Sequence, residues 1–186
     1  MEFITSDLHL DHEKVLQINN RPYASLPDMR ESLIDDINAL PKGSTLYHCG
    51  DFVLGSKKRL LLEILKRITT NVIWILGNHD HRLKNVFAEF GEVYNVHEIT
   101  FDNIKIVMNH FPQYEWNRGQ NGSIHFHGHT HGHFQGPGKM LDVGWDNHGK
   151  ILTMEEAVKI ADANPIYQPC HSRNNGLHRH ELEKRY

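Results

Sequence analysis

The sequence predicts a protein of the α/β class, and the order of its segments supports this in two ways. In the first half, short apolar segments rich in β-branched residues alternate with segments whose apolar residues recur at helical spacing. This alternation is typical of βαβ units that build a parallel sheet. From residue 93 the pattern changes to short strand-like segments separated by turns, with one helix near the end. We expect one domain over residues 1–163 and a C-terminal tail over residues 164–186.

The first half contains three predicted strands, over residues 2–5, 44–48 and 71–76. The third is apolar from residue 72 onward, as in a strand that is buried on both faces. Three helices are predicted between and after these strands, over residues 25–40, 56–68 and 81–90. In the first of them Pro27 and Asp28 suit the opening turn, and apolar residues follow at helical spacing.

The second half is predicted to begin with a hairpin, whose strands cover residues 93–100 and 104–109 around a turn at Asp102-Asn103. Three more short strands are expected over residues 123–127, 139–143 and 150–152. A final helix spans residues 153–163, where Thr153 and Glu156 have the spacing of a capping box. Residues after 163 show no clear periodicity.

Composition limits the location and the partners of the chain. No apolar run approaches the roughly 20 residues that cross a bilayer, the start does not resemble a secretory signal, and two cysteines do not indicate a disulfide framework. We therefore expect a cytoplasmic protein without membrane contact. The net charge of −3 offers no general attraction to nucleic acid. Basic residues of the tail either contact nucleic acid or, as we favour, form a solvated terminal segment.

Five short polar patterns follow predicted strands. They read Asp7-Leu8-His9, Gly50-Asp51, Gly77-Asn78-His79-Asp80, Asn109-His110 and Gly128-His129-Thr130-His131. Oxygen and imidazole ligands of this kind hold divalent metals, and the mixed set suits Mn, Fe, Zn, Co or Ni better than Ca or Mg alone. The series predicts one site, gathered from several strand ends, that holds two metal ions. Metal storage is the alternative for a chain with 16 histidines, but storage tracts are usually contiguous.

In their order, the five patterns resemble the calcineurin-like metallophosphoesterase superfamily, whose pattern is DxH, GD, GNH[D/E], H and GHxH. Three further segments are similar to its small single-domain branch in bacteria and phages: Asn20-Arg21-Pro22-Tyr23, Tyr47-His48-Cys49-Gly50-Asp51-Phe52 and Val143-Gly144-Trp145-Asp146. The resemblance covers most of the chain. It implies a four-layer αββα sandwich of two mixed β-sheets flanked by helices.

The resemblance also implies roles for the residues of the patterns. One metal is expected at Asp7, His9, Asp51 and His131, and the second at Asp51, Asn78, His110 and His129. Asp51 bridges the two metals, for which we favour manganese, with Fe, Zn, Ni, Co or Mg as alternatives. The implied reaction is hydrolysis of a phosphomonoester or phosphodiester by a hydroxide between the metals. His79 is the expected general acid, and Asp80 is expected to orient it.

The substrate is less well defined than the chemistry. His12 and Arg21 are candidates for binding the substrate phosphate, with a plain surface loop as the alternative. Asp142, Trp145 and Asp146 are expected at the far rim of the pocket, where Trp145 is alternatively a core residue. We expect a small phosphorylated molecule or a nucleotide as substrate. The alternatives are a nuclease, a cyclic-nucleotide phosphodiesterase and, less favoured because every ligand position is filled, a non-catalytic scaffold module.

Two departures from related enzymes narrow this choice. Phe52-Val53-Leu54-Gly55 stands where phosphoprotein phosphatases of the superfamily have an Asp-Arg-Gly run, which argues against a phosphoprotein substrate. Leu54 stands where the repair nucleases have a histidine, and the chain lacks the length for their capping domains.

Overall fold

The computed structural model describes residues 1–54 and 58–168 and contains two β-sheets with flanking helices. Within this described part, the strands are β1 (Glu2–Thr5), β2 (Thr45–His48), β3 (Asn71–Ile75), β4 (Val93–Tyr94), β5 (Val96–Phe101), β6 (Ile104–Asn109), β7 (Ile124–His127), β8 (Met140–Asp142) and β9 (Leu152–Thr153). The α-helices are α1 (Glu13–Ile18), α2 (Leu26–Asn38), α3 (Lys58–Leu65), α4 (Lys84–Phe87), α5 (Trp145–His148) and α6 (Met154–Asp162).

The first sheet has the strand order β4-β3-β2-β1-β9. Its first four strands are parallel, as the βαβ pattern predicted, and β9 pairs with β1 in the antiparallel sense. One face of this sheet packs against the helices of the first half of the chain, where Leu46 and Trp74 meet Met29, Leu61 and Phe87 in one core cluster. Each such fully buried side chain contributes roughly 1.5–3 kcal/mol of hydrophobic free energy.

The second sheet has the order β5-β6-β7-β8, with β5 antiparallel to β6 and the other pairs parallel. Its Ile106 and Phe126 share a second core cluster with Ile4 of the first sheet. Helix α6 contacts strands of both sheets and begins with the predicted capping box. Both sheets are therefore mixed and flanked by helices, which confirms the predicted fold class.

Several local predictions need correction. The segment predicted as one strand over residues 93–100 is divided, since β4 pairs with β3 in the first sheet and β5 pairs with β6 in the second. The predicted helix over residues 81–90 is a 3₁₀ turn at His81–Leu83 followed by the short α4. Helices α1 and α5, of six and four residues, were not predicted. Helices of this length are too short for a periodic apolar pattern.

The topology brings the carboxyl ends of β1, β2 and β3 to one edge of the first sheet, because these neighbouring strands are parallel. A bridge between Ser6 and Gly144 joins this edge to the segment after β8. Among the described residues, no helix is long and apolar enough to span a membrane. The basic residues of the predicted tail, and the first residues of the helix predicted over residues 56–68, lie outside the described part.

Candidate metal centre

The loops that follow the strands have an uncommon backbone conformation. Five residues of the polar patterns other than glycine have positive φ angles: Asp7 (59°), His9 (49°), Asp51 (56°), His129 (70°) and His131 (49°). For residues other than glycine this conformation costs of order 1–3 kcal/mol each, and it persists where the surrounding structure enforces it. Here the amide of Asp7 donates to the carbonyl of Gly50, and the amide of His9 donates to that of Asp51. The loops after β1 and β2 therefore hold each other in this shape.

The first group of candidate ligands consists of Asp7, His9 and His131, whose ligand atoms all lie within 4.8 Å of one another. Oδ2 of Asp7 accepts hydrogen bonds from the Ser6 hydroxyl and the His129 amide, at 2.6 and 2.9 Å. Oδ1 is buried without a hydrogen-bond partner and lies 3.9 Å from Nε2 of His9. An unpaired buried carboxylate oxygen is costly. A cation bound between Oδ1 of Asp7 and Nε2 of His9 would satisfy this oxygen, so the residues present fit a metal.

The second group consists of Asp51, His110 and His129, also within 4.8 Å. Nδ1 of His110 donates to the carbonyl of Cys49 at 2.9 Å, so in the neutral ring the lone pair is on Nε2. This Nε2 lies 3.0 Å from Oδ1 of Asn78 and 3.3 Å from Oδ2 of Asp51. The side-chain amide of Asn78 therefore lies beside this second group.

Asp51 lies between the two groups. Its Oδ2 is 3.3 Å from Nε2 of His110 in one group and 3.9 Å from Nε2 of His9 in the other. Burial alone would raise the pKa of Asp51, but the contacts of the carboxylate with His110 and the amide of His79 lower it to about 2. The carboxylate is thus charged at neutral pH and faces both groups.

His79 lies at the mouth of the centre. Its side chain is 41% exposed, and its Nε2 is 3.8 Å from Oδ2 of Asp51. Its backbone amide donates to Oδ1 of Asp51 at 3.0 Å, which fixes the turn that carries it. The ring is therefore open to a substrate while its backbone is held by the centre.

Asp80 has a different environment from the one predicted. Its carboxylate accepts hydrogen bonds from the amides of Asp51, Phe52 and Gly77, at 2.7, 3.2 and 3.0 Å. These contacts join the loop after β2 to the loop after β3, and the three donors are backbone amides rather than the ring of His79. Burial raises the pKa of Asp80 to about 7.

The two predicted substrate-binding residues differ in their surroundings. The ring of His12 lies 5.8 Å from that of His9, beside the mouth, and burial lowers its pKa. The side chain of Arg21 has no exposed surface. Its guanidinium donates to the carbonyls of Asp7 and Leu8 and to the carboxylate of Asp146. Arg21 therefore does not face the mouth of the centre in this structure. A residue that binds the substrate phosphate would have to face it, as the sequence prediction assumed.

The sequence interpretation did not predict the contacts of two carboxylates after the GHxH pattern. Asp146 accepts a hydrogen bond from Nδ1 of His131 at 2.6 Å. Asp142 accepts bonds from the Thr130 hydroxyl and the Gly132 amide, at 2.5 and 2.9 Å. Asp146 therefore holds the ring of His131, and Asp142 holds the loop that carries His129 and His131. Their position shortly after the GHxH pattern was the available signal, but it indicated only the rim of the pocket.

Comparison with known proteins identifies the class of this chain. The calcineurin-like phosphoesterase family matches residues 3–133, and the chain belongs to that family. It is accordingly a phosphoric ester hydrolase of the metallophosphoesterase type, as the resemblance of the five patterns predicted.

Individual proteins and solved structures are also similar to this chain. The uncharacterized protein MJ1445 of Methanocaldococcus jannaschii is 28% identical over 131 residues, which are 69% of this chain and 68% of that protein. The structure of AQ665, a protein of unknown function from Aquifex aeolicus, superposes over 86% of this chain and 98% of its own, with a TM-score of 0.66 and 21% identity. That likeness shows the shared fold. A structure described as a novel archaeal phosphodiesterase matches over 84% of this chain and 94% of its own, with a TM-score of 0.48 and 21% identity.

Proposed function

We propose that the protein hydrolyses a phosphomonoester or phosphodiester of a small molecule or nucleotide at a centre for two divalent cations. The proposed ligands are Asp7, His9, Asp51 and His131 for one cation, and Asp51, Asn78, His110 and His129 for the other. The position of Asp51 is the observation that carries this proposal, because its Oδ2 faces an imidazole nitrogen of each group. One carboxylate placed in this way suits two neighbouring cations.

When bound, two divalent cations supply Lewis-acid activation of the phosphoester and of the attacking water. The mixed nitrogen and oxygen ligand set supports a transition metal, and we propose manganese as the first to test. The fit of the site rests on the unpaired buried oxygen of Asp7 and on the lone pair of His110, which are both directed toward these ligand groups.

His79 is the proposed proton donor to the leaving oxygen. Its ring lies at the mouth, its Nε2 is close to Asp51, and its exposure leaves room for the substrate. The rings of His12 and His79 lie 5.8 and 5.7 Å from that of His9, and the ring of His12 can donate a hydrogen bond to a phosphate oxygen. In this proposal His12 binds the substrate phosphate and His79 protonates the leaving oxygen, whereas the seven ligand residues hold the two cations.

An exposed aromatic residue supports a nucleotide or another ester with a flat group. Phe111 is 43% exposed, and its ring lies 4.7 Å from the ring of His129. A nucleobase or aryl group next to the reacting phosphate would contact this ring and bury its apolar surface.

The direct test is an assay of the purified protein with Mn²⁺, using p-nitrophenyl phosphate, bis-p-nitrophenyl phosphate, nucleotides, cyclic nucleotides and a single-stranded oligonucleotide. We expect metal-dependent turnover of a monoester or diester that EDTA abolishes. Cleavage of the oligonucleotide in preference to the small esters would indicate a nuclease. A protein that binds two Mn²⁺ ions and turns over none of these compounds would contradict the proposal and favour a scaffold module.

A further inference from the structure

A buried ion pair lies directly behind His131. Nε and Nη2 of Arg21 donate to the two oxygens of Asp146 at 2.6 and 2.7 Å, which is the bidentate geometry of a strong charge-assisted pair. Side-chain exposure is 0% for Arg21 and 5% for Asp146. Oδ2 of Asp146 also accepts a hydrogen bond from Nδ1 of His131 at 2.6 Å and one from the side-chain amide of Asn19 at 2.7 Å.

The guanidinium of Arg21 also contacts the loop after β1. Nη2 donates to the carbonyl of Asp7 at 2.6 Å, and Nη1 donates to the carbonyl of Leu8 at 2.7 Å. The indole ring of Trp145 lies 5.2 Å from the guanidinium carbon and covers it. Arg21 thus connects the segment that carries Asp7 and His9 with the residue that holds His131.

The chemistry of this arrangement concerns one ligand group only. A carboxylate that accepts the Nδ1 proton of a histidine fixes the tautomer with its lone pair on Nε2, orients the ring and makes that nitrogen a better metal ligand. A buried carboxylate needs a partner to remain charged. For Asp146 that partner is Arg21, which donates to both carboxylate oxygens.

We propose that Arg21 and Asp146 are positioning residues that load one of the two cation positions, the one at Asp7, His9 and His131. They do so by fixing the ring of His131 and the loop that carries Asp7, and they leave the position at Asp51, His110 and His129 to form independently. This inference rests on the proposed function, because it takes Asp7 and His131 as ligands. It gives Arg21 a role in metal loading instead of the substrate contact predicted from the sequence.

The test compares Asp146→Asn and Arg21→Lys with the wild-type protein by calorimetric titration of the chelated, metal-free protein with Mn²⁺. We expect one Mn²⁺ to bind with wild-type affinity and the other to bind about 10–100-fold more weakly, the usual effect of removing the partner of a ligating histidine. Electron paramagnetic resonance with two equivalents of Mn²⁺ should show magnetically coupled pairs of ions in the wild type. In the variants it should show free Mn²⁺ and single bound ions.

Arg30→Lys is the matched control. Nε of Arg30 donates to the carbonyl of Leu10 at 2.9 Å, in the same loop, whereas the bonds to Asp146 come from Arg21, Asn19 and His131. This variant should keep both Mn²⁺ affinities. The double variant of Arg21→Lys and Asp146→Asn should lose no more Mn²⁺ affinity than the single variant that binds Mn²⁺ more weakly, because both residues act through His131.

Kinetics separate positioning from substrate binding. At saturating Mn²⁺ both variants should recover the wild-type KM for the substrate, whereas a raised KM that persists in Arg21→Lys would mean that Arg21 binds the substrate and would overturn the inference. Two Mn²⁺ ions bound with wild-type affinity by Asp146→Asn would overturn it as well, while leaving the two-metal hydrolase intact. Failure of the wild type to bind two metals would instead contradict the proposed function. If Asp146→Asn does not fold, Asn19→Ala removes one donor to Asp146 and should weaken the same position alone.

Discussion

At the scale of single residues, His79 is placed to act on the leaving group and not on the metals. We expect His79→Ala to keep two Mn²⁺ ions per chain and to lose about 10²–10⁴-fold in kcat for an alkyl phosphoester, because a positioned general acid contributes this much. The loss should be smaller for p-nitrophenyl esters, whose leaving oxygen needs little protonation. Steady-state kinetics with both esters, and elemental analysis, measure this.

The exposed His81, two residues further along the same turn, gives the control for this prediction. His81→Ala should retain both turnover and metal content. Unchanged kcat of His79→Ala with the alkyl ester would remove His79 from the reaction.

The second prediction at this scale concerns Asp51, whose carboxylate faces both ligand groups. Asp51→Ala should lower the occupancy of both cation positions, whereas Asn78→Ala should weaken only the position next to His110. Metal content after gel filtration, measured by elemental analysis, distinguishes the two. Two metals per chain in Asp51→Ala would show that this carboxylate does not bridge them.

Residue types and their order were enough to predict that side chains from several strand ends lie in one region. The five patterns follow strand ends, and the structure brings together Asp7, His9 and His131 in one group and Asp51, His110 and His129 in another. The contacts of Arg21 and Asp80 could not be predicted in the same way. An arginine in a predicted loop is expected to be exposed. Only the fold shows that the guanidinium of Arg21 is buried against Asp146 and the carbonyls of Asp7 and Leu8. For Asp80, adjacency to His79 in sequence suggested a contact, but its carboxylate bonds to backbone amides of the loop after β2 and of its own loop.

At the scale of elements, the loop after β3 packs directly on the loop after β2. A Cβ at Gly77 would lie 2.1 Å from Oδ1 of Asp51 and 2.4 Å from its amide nitrogen. Gly77→Ala should therefore separate the two loops, with a loss of about 1–3 kcal/mol in unfolding free energy from overpacking and weaker binding at both cation positions. Urea unfolding and Mn²⁺ titration measure these two effects.

Gly149→Ala is the comparison for this variant. Gly149 has a φ of +64°, and a Cβ there would meet nothing within 4 Å, so its cost is backbone strain of roughly 1–2 kcal/mol. We expect this variant to lose stability without any change in Mn²⁺ affinity. Wild-type metal binding in Gly77→Ala would show that the centre tolerates movement of these loops.

The elements themselves show where local pattern is sufficient. The turn at Asp102-Asn103 was predicted, and both residues have the positive φ angles, 46° and 64°, of a tight hairpin turn. The division between β4 and β5 was not, because apolar periodicity indicates a strand but does not indicate which sheet it joins. That choice depends on the pairing of β4 with β3, which are far apart along the chain.

At the scale of the whole molecule, two core clusters hold the first sheet on both faces, and the candidate metal centre lies at the edge where the loops of both sheets meet. Ligands that bind only the folded state stabilise it, by about 2.7 kcal/mol at a concentration of 100 Kd. Mn²⁺ should therefore raise the Tm, and EDTA should reverse the rise. Asp51→Ala should show little of this shift, and a full shift in that variant would place the stabilising ion elsewhere.

The size of this stabilisation should depend on pH, because protons compete with the cations for the same atoms. Burial raises the pKa of Asp7 to about 6. Burial lowers the pKa of His110, but the Asp51 carboxylate and the charge of Asp7 raise it to about 9. Both folded-state values lie above the ordinary ones, so in the metal-free protein these groups stabilise the fold at low pH and lose that contribution as pH rises through about 6 and about 9.

Metal binding has the opposite dependence. Each group must lose its proton to act as a ligand, so the apparent affinity should rise about tenfold per pH unit for every proton displaced. Between about pH 6 and pH 9 the proton on His110 is displaced, and below about pH 6 the proton on Asp7 is displaced as well. The difference in Tm between the Mn²⁺-loaded and the chelated protein should therefore widen from pH 5 to pH 8, as measured by scanning calorimetry. A difference that stays constant over this range would show that neither Asp7 nor His110 exchanges a proton for the metal.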